Sequence, residues 1–134
     1  MILGIDPGER RVGVAEADGE TRFARPVEVI DVQVVDPVAR IAELVRERAV
    51  TLVVVGRPVG LSGTSGPAVD AQQIFVDALR SALDVEVKEY DERLTTVIAE
   101  QGLRAGGAKR RGRATLRDAV AAQVMLQGFL DSER

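Results

Sequence analysis

The sequence predicts one α/β domain over residues 1–134, built on a mixed sheet in the order βββαβαβαα. Three observations carry this. Short apolar runs separated by turn residues open the chain, as consecutive antiparallel strands do. Thr51-Leu52-Val53-Val54-Val55 is a continuous apolar run without polar alternation, the mark of a strand covered on both faces in the middle of a sheet. Helical periodicity then appears after the third strand, between the later strands and at the C-terminus.

Residues 2–5 form an apolar run ending in Asp6-Pro7-Gly8, and Val12-Gly13-Val14-Ala15 follows the charged turn Glu9-Arg10-Arg11, which together read as a hairpin. Asp18-Gly19 is a turn signal, and the stretch around Phe23 and over 27–30 supplies a third strand interrupted at Pro26. Asp36-Pro37 has the form of an N-cap followed by a first-turn proline, and Ile41, Leu44, Val45 and Arg48 recur at helical spacing to about residue 49. The central strand empties into a glycine loop, Gly56 to Pro67, after which Val69, Gln73, Ile74, Val76 and Leu83 mark a second helix. Val85-Glu86-Val87 begins another strand that ends at Tyr90-Asp91-Glu92. Thr95 or Thr96 can cap a helix through Leu103, ended by Gly106-Gly107. A basic loop follows, and residues 115–130 form the last helix.

Composition narrows the chemistry. With no Cys and no His, disulfides, thiolate nucleophiles, imidazole catalysis and Cys/His zinc sites are excluded, so any metal must be held by oxygen. Aromatic residues make up 3%, too few for an RNA-reading sheet of stacked bases. The first residues are too short an apolar stretch for a signal peptide or a membrane span, so a cytoplasmic protein with no membrane partner is expected. Net charge is −3, but it is segregated: 104–117 holds six basic residues and no acid, leaving twelve basic against 21 acidic elsewhere, or −9.

Among the acids, Asp6 closes an apolar strand, where a charge is costly to bury unless it is paired or binds a cation; the simpler alternative is a cap on the Pro7-Gly8 turn. Asp91 and Glu92 lie just past another strand, where either could also cap a helix or pair with Arg93. Asp118 is the sharper clue, since winding the last helix at about 100° per residue aligns it with Ala122, Met125 and Phe129 on the apolar face. A buried ion pair is the competing explanation. Acids at two strand ends and on one helix face could converge, and Mg²⁺ or Mn²⁺ would relieve their repulsion. Two such ions about 3.5–4 Å apart suit phosphodiester hydrolysis without His or Cys. The glycine loop lacks the Gly-Lys-Ser/Thr ending of a P-loop, and Lys109-Arg110-Arg111-Gly112-Arg113 is either a solvated loop or a phosphate-backbone contact placed just before Asp118.

Taken together, Gly4-Ile5-Asp6-Pro7-Gly8 with Arg11-Val12-Gly13-Val14-Ala15, then Val55-Gly56-Arg57-Pro58 with Leu61-Ser62-Gly63 and Gly66-Pro67, then Asp91-Glu92-Arg93-Leu94-Thr95-Thr96, and finally Asp118-Ala119-Val120-Ala121-Ala122 with Leu126-Gln127 and Phe129-Leu130, resemble the YqgF/RuvX family. Its members are pre-ribosomal-RNA nucleases or Holliday junction resolvases. The resemblance spans essentially the whole chain and implies a ribonuclease-H-like fold: a five-stranded mixed sheet flanked by helices, with three acidic positions gathering Mg²⁺ or Mn²⁺. Mapped here, the metal positions are Asp6, the Asp91-Glu92 pair and Asp118, with Asp6, Glu92 and Asp118 as the catalytic set. Arg10, Arg57, Arg93 and the glycine loop would line the substrate groove, and Lys109, Arg110, Arg111 and Arg113 would hold the flanking backbone. Two departures bear on substrate fit: Pro7 stands where the family more often has an aromatic residue, and Arg57 where an apolar residue is common. The implied function is a metal-dependent nuclease acting on structured RNA or branched DNA, as a monomer or homodimer. Two readings compete: a sugar kinase or actin-like ATPase, which needs two such lobes to enclose a nucleotide where 134 residues supply one, and a non-cutting nucleic-acid-binding or assembly factor.

Overall fold

A computed structural model describes residues 1–57, 67–91 and 110–133, with the side chains of 67–70, 91 and 110–119 outside that description. Strands β1 (Ile2–Pro7), β2 (Arg11–Ala17) and β3 (Ala24–Asp31) form an antiparallel meander. Helix α1 (Pro37–Glu47), β4 (Leu52–Arg57), α2 (Pro67–Ala82), β5 (Glu86–Asp91) and α3 (Arg110–Ser132) follow. The five strands make one mixed sheet in the order β3-β2-β1-β4-β5, with β4 parallel to both β1 and β5. Thus β1, not β4, is the middle strand, although β4 is buried along Val53 to Gly56 as its unbroken apolar run predicts. The anticipated helix over 95–103 and the glycine loop beyond Arg57 lie outside the described residues.

Strand alternation divides the core into two layers. Leu3, Ile5, Val12, Val14, Val53, Val55 and Val87 face α1 and α2, where Ile41, Leu44, Val76 and Leu79 meet them. The opposite face carries smaller residues, Ala15, Ala17 and Ala24, beneath Ala122, Met125, Leu126, Phe129 and Leu130 of α3. Those small side chains let α3 lie close: a Cβ added to Gly4 would stand 2.9 Å from Leu126 Cβ.

Local chemistry explains the boundaries. Asp36 Oδ1 accepts from the Val38 N–H at 3.1 Å, capping α1 as its sequence predicts. The helix stops at Glu47, short of residue 49, because Ala49 takes the left-handed conformation (φ 51°) that turns the chain toward β4. On β3 the pairing skips from Val14–Glu28 to Ala15–Pro26, a bulge at the edge strand beside the proline that cannot donate. Phe23 lies outside the strand and is exposed, and Ile74 points away from the core that the neighbouring Val76 enters. The last helix starts at Arg110, five residues before the expected 115, so the backbones of Arg110, Arg111 and Arg113 are helical rather than a loop. Arginine is a good helix former, and extending a nucleated helix outweighs the penalty of about 1 kcal/mol at Gly112. No described helix is long and apolar enough to cross a membrane.

Candidate functional site at the carboxyl edge of the sheet

Because β1, β4 and β5 run parallel, their carboxyl ends meet at one edge, the usual place for a site in an α/β sheet. Asp6 stands at that edge, partly buried, and alternates with Ile2 and Gly4 onto the α3 face. Its cross-strand partner on β2 is Gly13. On β4 its neighbour, one step past the Ile5–Val55 pair, is Gly56. Both cross-strand positions beside Asp6 are therefore glycines. Gly56 in turn pairs with Tyr90 of β5, whose ring comes next along the same row and face.

Helix α3 runs down this face antiparallel to β1. Near its end, the Leu130 carbonyl accepts from Arg22 Nη2 at 2.6 Å, and Gln127 bridges the Ala24 N–H and the Arg22 carbonyl at 2.9 and 3.0 Å, all at the amino edge of β1. Higher up, Leu126 lies over Gly4. The N-terminal half of α3 therefore reaches the carboxyl edge. Eight residues from Leu126 back to Asp118 rise about 12 Å, against roughly 6.6 Å from Gly4 to Asp6, so the Asp118 backbone lies about one turn beyond the level of Asp6. The Asp91 backbone ends β5 at the same edge, opposite Arg57. The side chains of Asp91, Asp118, Arg110, Arg111 and Arg113, and all of Glu92, Arg93 and Lys109, lie outside the described residues. Accordingly, no group of three or more acids able to hold a metal occurs among the described residues.

Two anticipated groove residues take different positions. Arg10, in the β1–β2 turn at this edge, is 3.8 Å from Asp31 and largely exposed. Arg57 is at the same edge but on the other face, in phase with Val53 and Val55, with its Nε 3.7 Å from Glu89 Oε2.

The sequence reading overlooked Glu16, the buried charged residue among those described, at 1% exposure. It lies at the amino end of the sheet, away from Asp6, pairing with Leu3 of β1. Arg25 Nη2 donates to Glu16 Oε2 at 2.9 Å and Arg48 Nη1 binds both carboxylate oxygens. Two guanidinium groups occupy its lone pairs, which makes it a structural ion cluster and not a cation ligand. A signal was present: Glu16 is in phase with Val12 and Val14, and Arg48 with Ile41, Leu44 and Val45.

Comparison with known proteins finds relatives along the whole chain. The family described as RuvX, Holliday junction resolvase, matches residues 1–132. A protein of Chloroflexus aggregans named "Putative pre-16S rRNA nuclease" is 48% identical over 134 residues, covering 99% of this chain and 94% of its own. One of the same name from Anaeromyxobacter dehalogenans is 43% identical, with 96% and 95% covered. Among solved structures, T. thermophilus RuvC in complex with a Holliday junction superposes with a TM-score of 0.61 at 20% identity, covering 98% of this chain and 94% of that one. The fowlpox virus resolvase with junction DNA gives 0.60 at 10% identity, covering 98% and 97%. These two share the fold, a five-stranded mixed sheet with flanking helices. Matched from end to end by the family and by relatives over 40% identical, the chain belongs to the RuvX family.

Proposed function

We propose that this chain is a divalent-metal-dependent nuclease that hydrolyses phosphodiester bonds in structured nucleic acid, in maturation of the small-subunit ribosomal RNA precursor, in resolution of four-way junctions, or both. Nuclease chemistry comes with the family; the substrate, the metal and the roles of individual residues are our reading. The observation that carries it is Asp6, presented at the carboxyl edge between two glycines and on the face crossed by the helix that bears Asp118.

The donor chemistry fits Mg²⁺ or Mn²⁺. The chain has neither His nor Cys, and Asp6, Glu92 and Asp118 offer only the carboxylate oxygens these ions prefer. Strand parity speaks against Asp91: Tyr90 shares the Asp6 face and Asp91 occupies a register position of opposite parity. Glu92, with the longer reach, is taken as the ligand. Asp91 then supports or caps. When bound, such cations polarise the phosphoryl group and neutralise charge on the leaving oxygen.

The remaining work belongs to side chains. Asp6 would hold the cation, and the glycine positions on either side of it favour close approach of a substrate backbone. Arg10 and the Lys109, Arg110, Arg111 and Arg113 cluster attract the flanking strand without reading its sequence. Arg93 and the glycine loop would extend that groove. Arg57, turned to the other face and close to Glu89, would reach the substrate only by leaving that ion pair.

The test is cleavage of two matched substrates in Mn²⁺: a precursor RNA spanning the small-subunit 5′ end, and a four-way DNA junction. Wild type should cut at least one, and Asp6→Asn should slow that cutting at least 100-fold while leaving binding intact or tighter. Absence of cutting on both, or an equally active Asp6→Asn, would refute the reading.

A further inference from the structure

Asp6, Gly56 and Tyr90 occupy one row across three parallel strands on one face of the sheet. Two strand spacings separate the outer positions, about 9.5 Å between backbones, and the residue between them has no side chain. Tyr90 is half-buried and rests edge-on against Phe129, with ring centroids 5.9 Å apart and planes at 81°. Lys88, one pleat below on the same strand and face, holds its ammonium 6.0 Å from the Phe129 centroid. A carboxylate suited to cations thus shares a row with an aromatic ring backed by a second ring and a positive charge. That backbone spacing is on the scale of one nucleotide.

We propose that Tyr90 is the stacking surface for the base adjoining the reacting phosphate, with Lys88 drawing the strand toward it. This rests on the nuclease reading of the Asp6 edge and adds the form of the substrate. A base can lie on Tyr90 only if it has left its helical stack, so cutting is directed to an unpaired or splayed nucleotide, at a branch, bulge or helix end, and not to uninterrupted duplex. Among one Tyr, three Phe and no Trp, Tyr90 is the aromatic residue in the Asp6 row, so a single base is engaged there, without the run of aromatic platforms that single-strand binders use.

The same composition supplies the test, because Tyr90 is the only source of tyrosine emission and no tryptophan masks it. Asp6→Asn protein, which leaves the strand intact, is titrated with an eight-nucleotide RNA and with an abasic strand of equal length and charge. The base-bearing strand should quench the emission at least twofold more than the abasic one. In the same background, Tyr90→Phe should bind the RNA as its parent does, and Tyr90→Leu should bind it at least about fivefold more weakly while holding the abasic strand equally well. Equal quenching by the two strands, binding of neither, or a Tyr90→Leu protein that holds RNA as tightly as its parent would overturn the proposal. Should Tyr90→Leu fail to fold, the quenching comparison decides alone. Failure of wild type to cut RNA or junction DNA would instead strike the nuclease reading, a separate result from the emission.

Discussion

At the scale of single residues, Asp6 and Glu16 show how context separates two acids on adjacent strands. Asp6 stands between Gly13 and Gly56 at the carboxyl edge, whereas Glu16 is enclosed by Arg25 and Arg48 at the other end. Replacing Glu16 with Gln should lower stability by on the order of 2 kcal/mol, less than the usual 3–5 for breaking a fully buried pair because Arg25 and Arg48 are partly exposed. Urea unfolding measures this, and metal-dependent cutting at a temperature where both proteins are folded should be unchanged. Within the adjacent pair on β5, Glu92→Gln should abolish cutting while Asp91→Asn reduces it only partly; matched cleavage rates check the assignment, and the reverse order would transfer the role to Asp91. Asp6 was legible in the sequence because an acid closing an apolar strand stands out. Glu16 was missed because its neutralising arginines come from β3 and from the end of α1, 9 and 32 residues away. Tyr90 was passed over as a site residue for a similar reason: only the parallel register of β1, β4 and β5 brings it into a row with Asp6.

At the scale of elements, the helix that carries Asp118 depends on close approach at Gly4. A Gly4→Ala substitution would put a methyl carbon 2.9 Å from Leu126 Cβ, and both atoms belong to rigid parts of their elements. It should cost about 1–3 kcal/mol and slow cutting by displacing α3, and Leu126→Ala in the same chain should recover part of the rate even though it adds a cavity. Urea unfolding and cleavage rates on the single and double variants test this coupling. On the opposite layer, Arg40 forks onto Glu28 at 2.8 and 2.9 Å, and this hydrogen bonding holds the Glu28 carboxyl below its usual range. Folding is therefore favoured by the ionised form: the contribution is complete above the ordinary glutamate value of about 4.3 and is lost as pH falls through the lowered value. The stability gap between wild type and Glu28→Gln, about 1 kcal/mol, should be constant from pH 7 to 5 and close below pH 4. Most elements could be read from sequence, since Asp36-Pro37 and the run over 51–55 are strong local signals. The start of α3 could not: Gly112 and like charges suggested a loop, and continuation of a long helix overrode them.

At the scale of the whole molecule, the proposed function turns the charge segregation of the sequence into an expected division of labour between capture and cutting. Replacing Lys109, Arg110, Arg111 and Arg113 together with Ala should weaken binding to RNA and junction DNA alike and flatten its salt dependence, since fewer counterions are released. Binding isotherms at several salt concentrations read this out, and unchanged affinity throughout would move the groove elsewhere. The topology itself was legible up to the place of β4, because a run buried on both faces marks an interior strand without saying which strands flank it. The candidate edge follows from topology: parallel β1, β4 and β5 bring residues 6 and 91 to one rim, and α3, antiparallel to β1, brings the backbone of residue 118 toward it. On the proposed function, carboxylates from these distant parts of the chain hold divalent cations in common, and calorimetric titration with Mn²⁺ measures this. Wild type should bind Mn²⁺ with a resolved heat, and Asp6→Asn and Asp118→Ala should each, while still folded, weaken that binding at least tenfold. Equal Mn²⁺ binding by wild type and both variants would contradict the account.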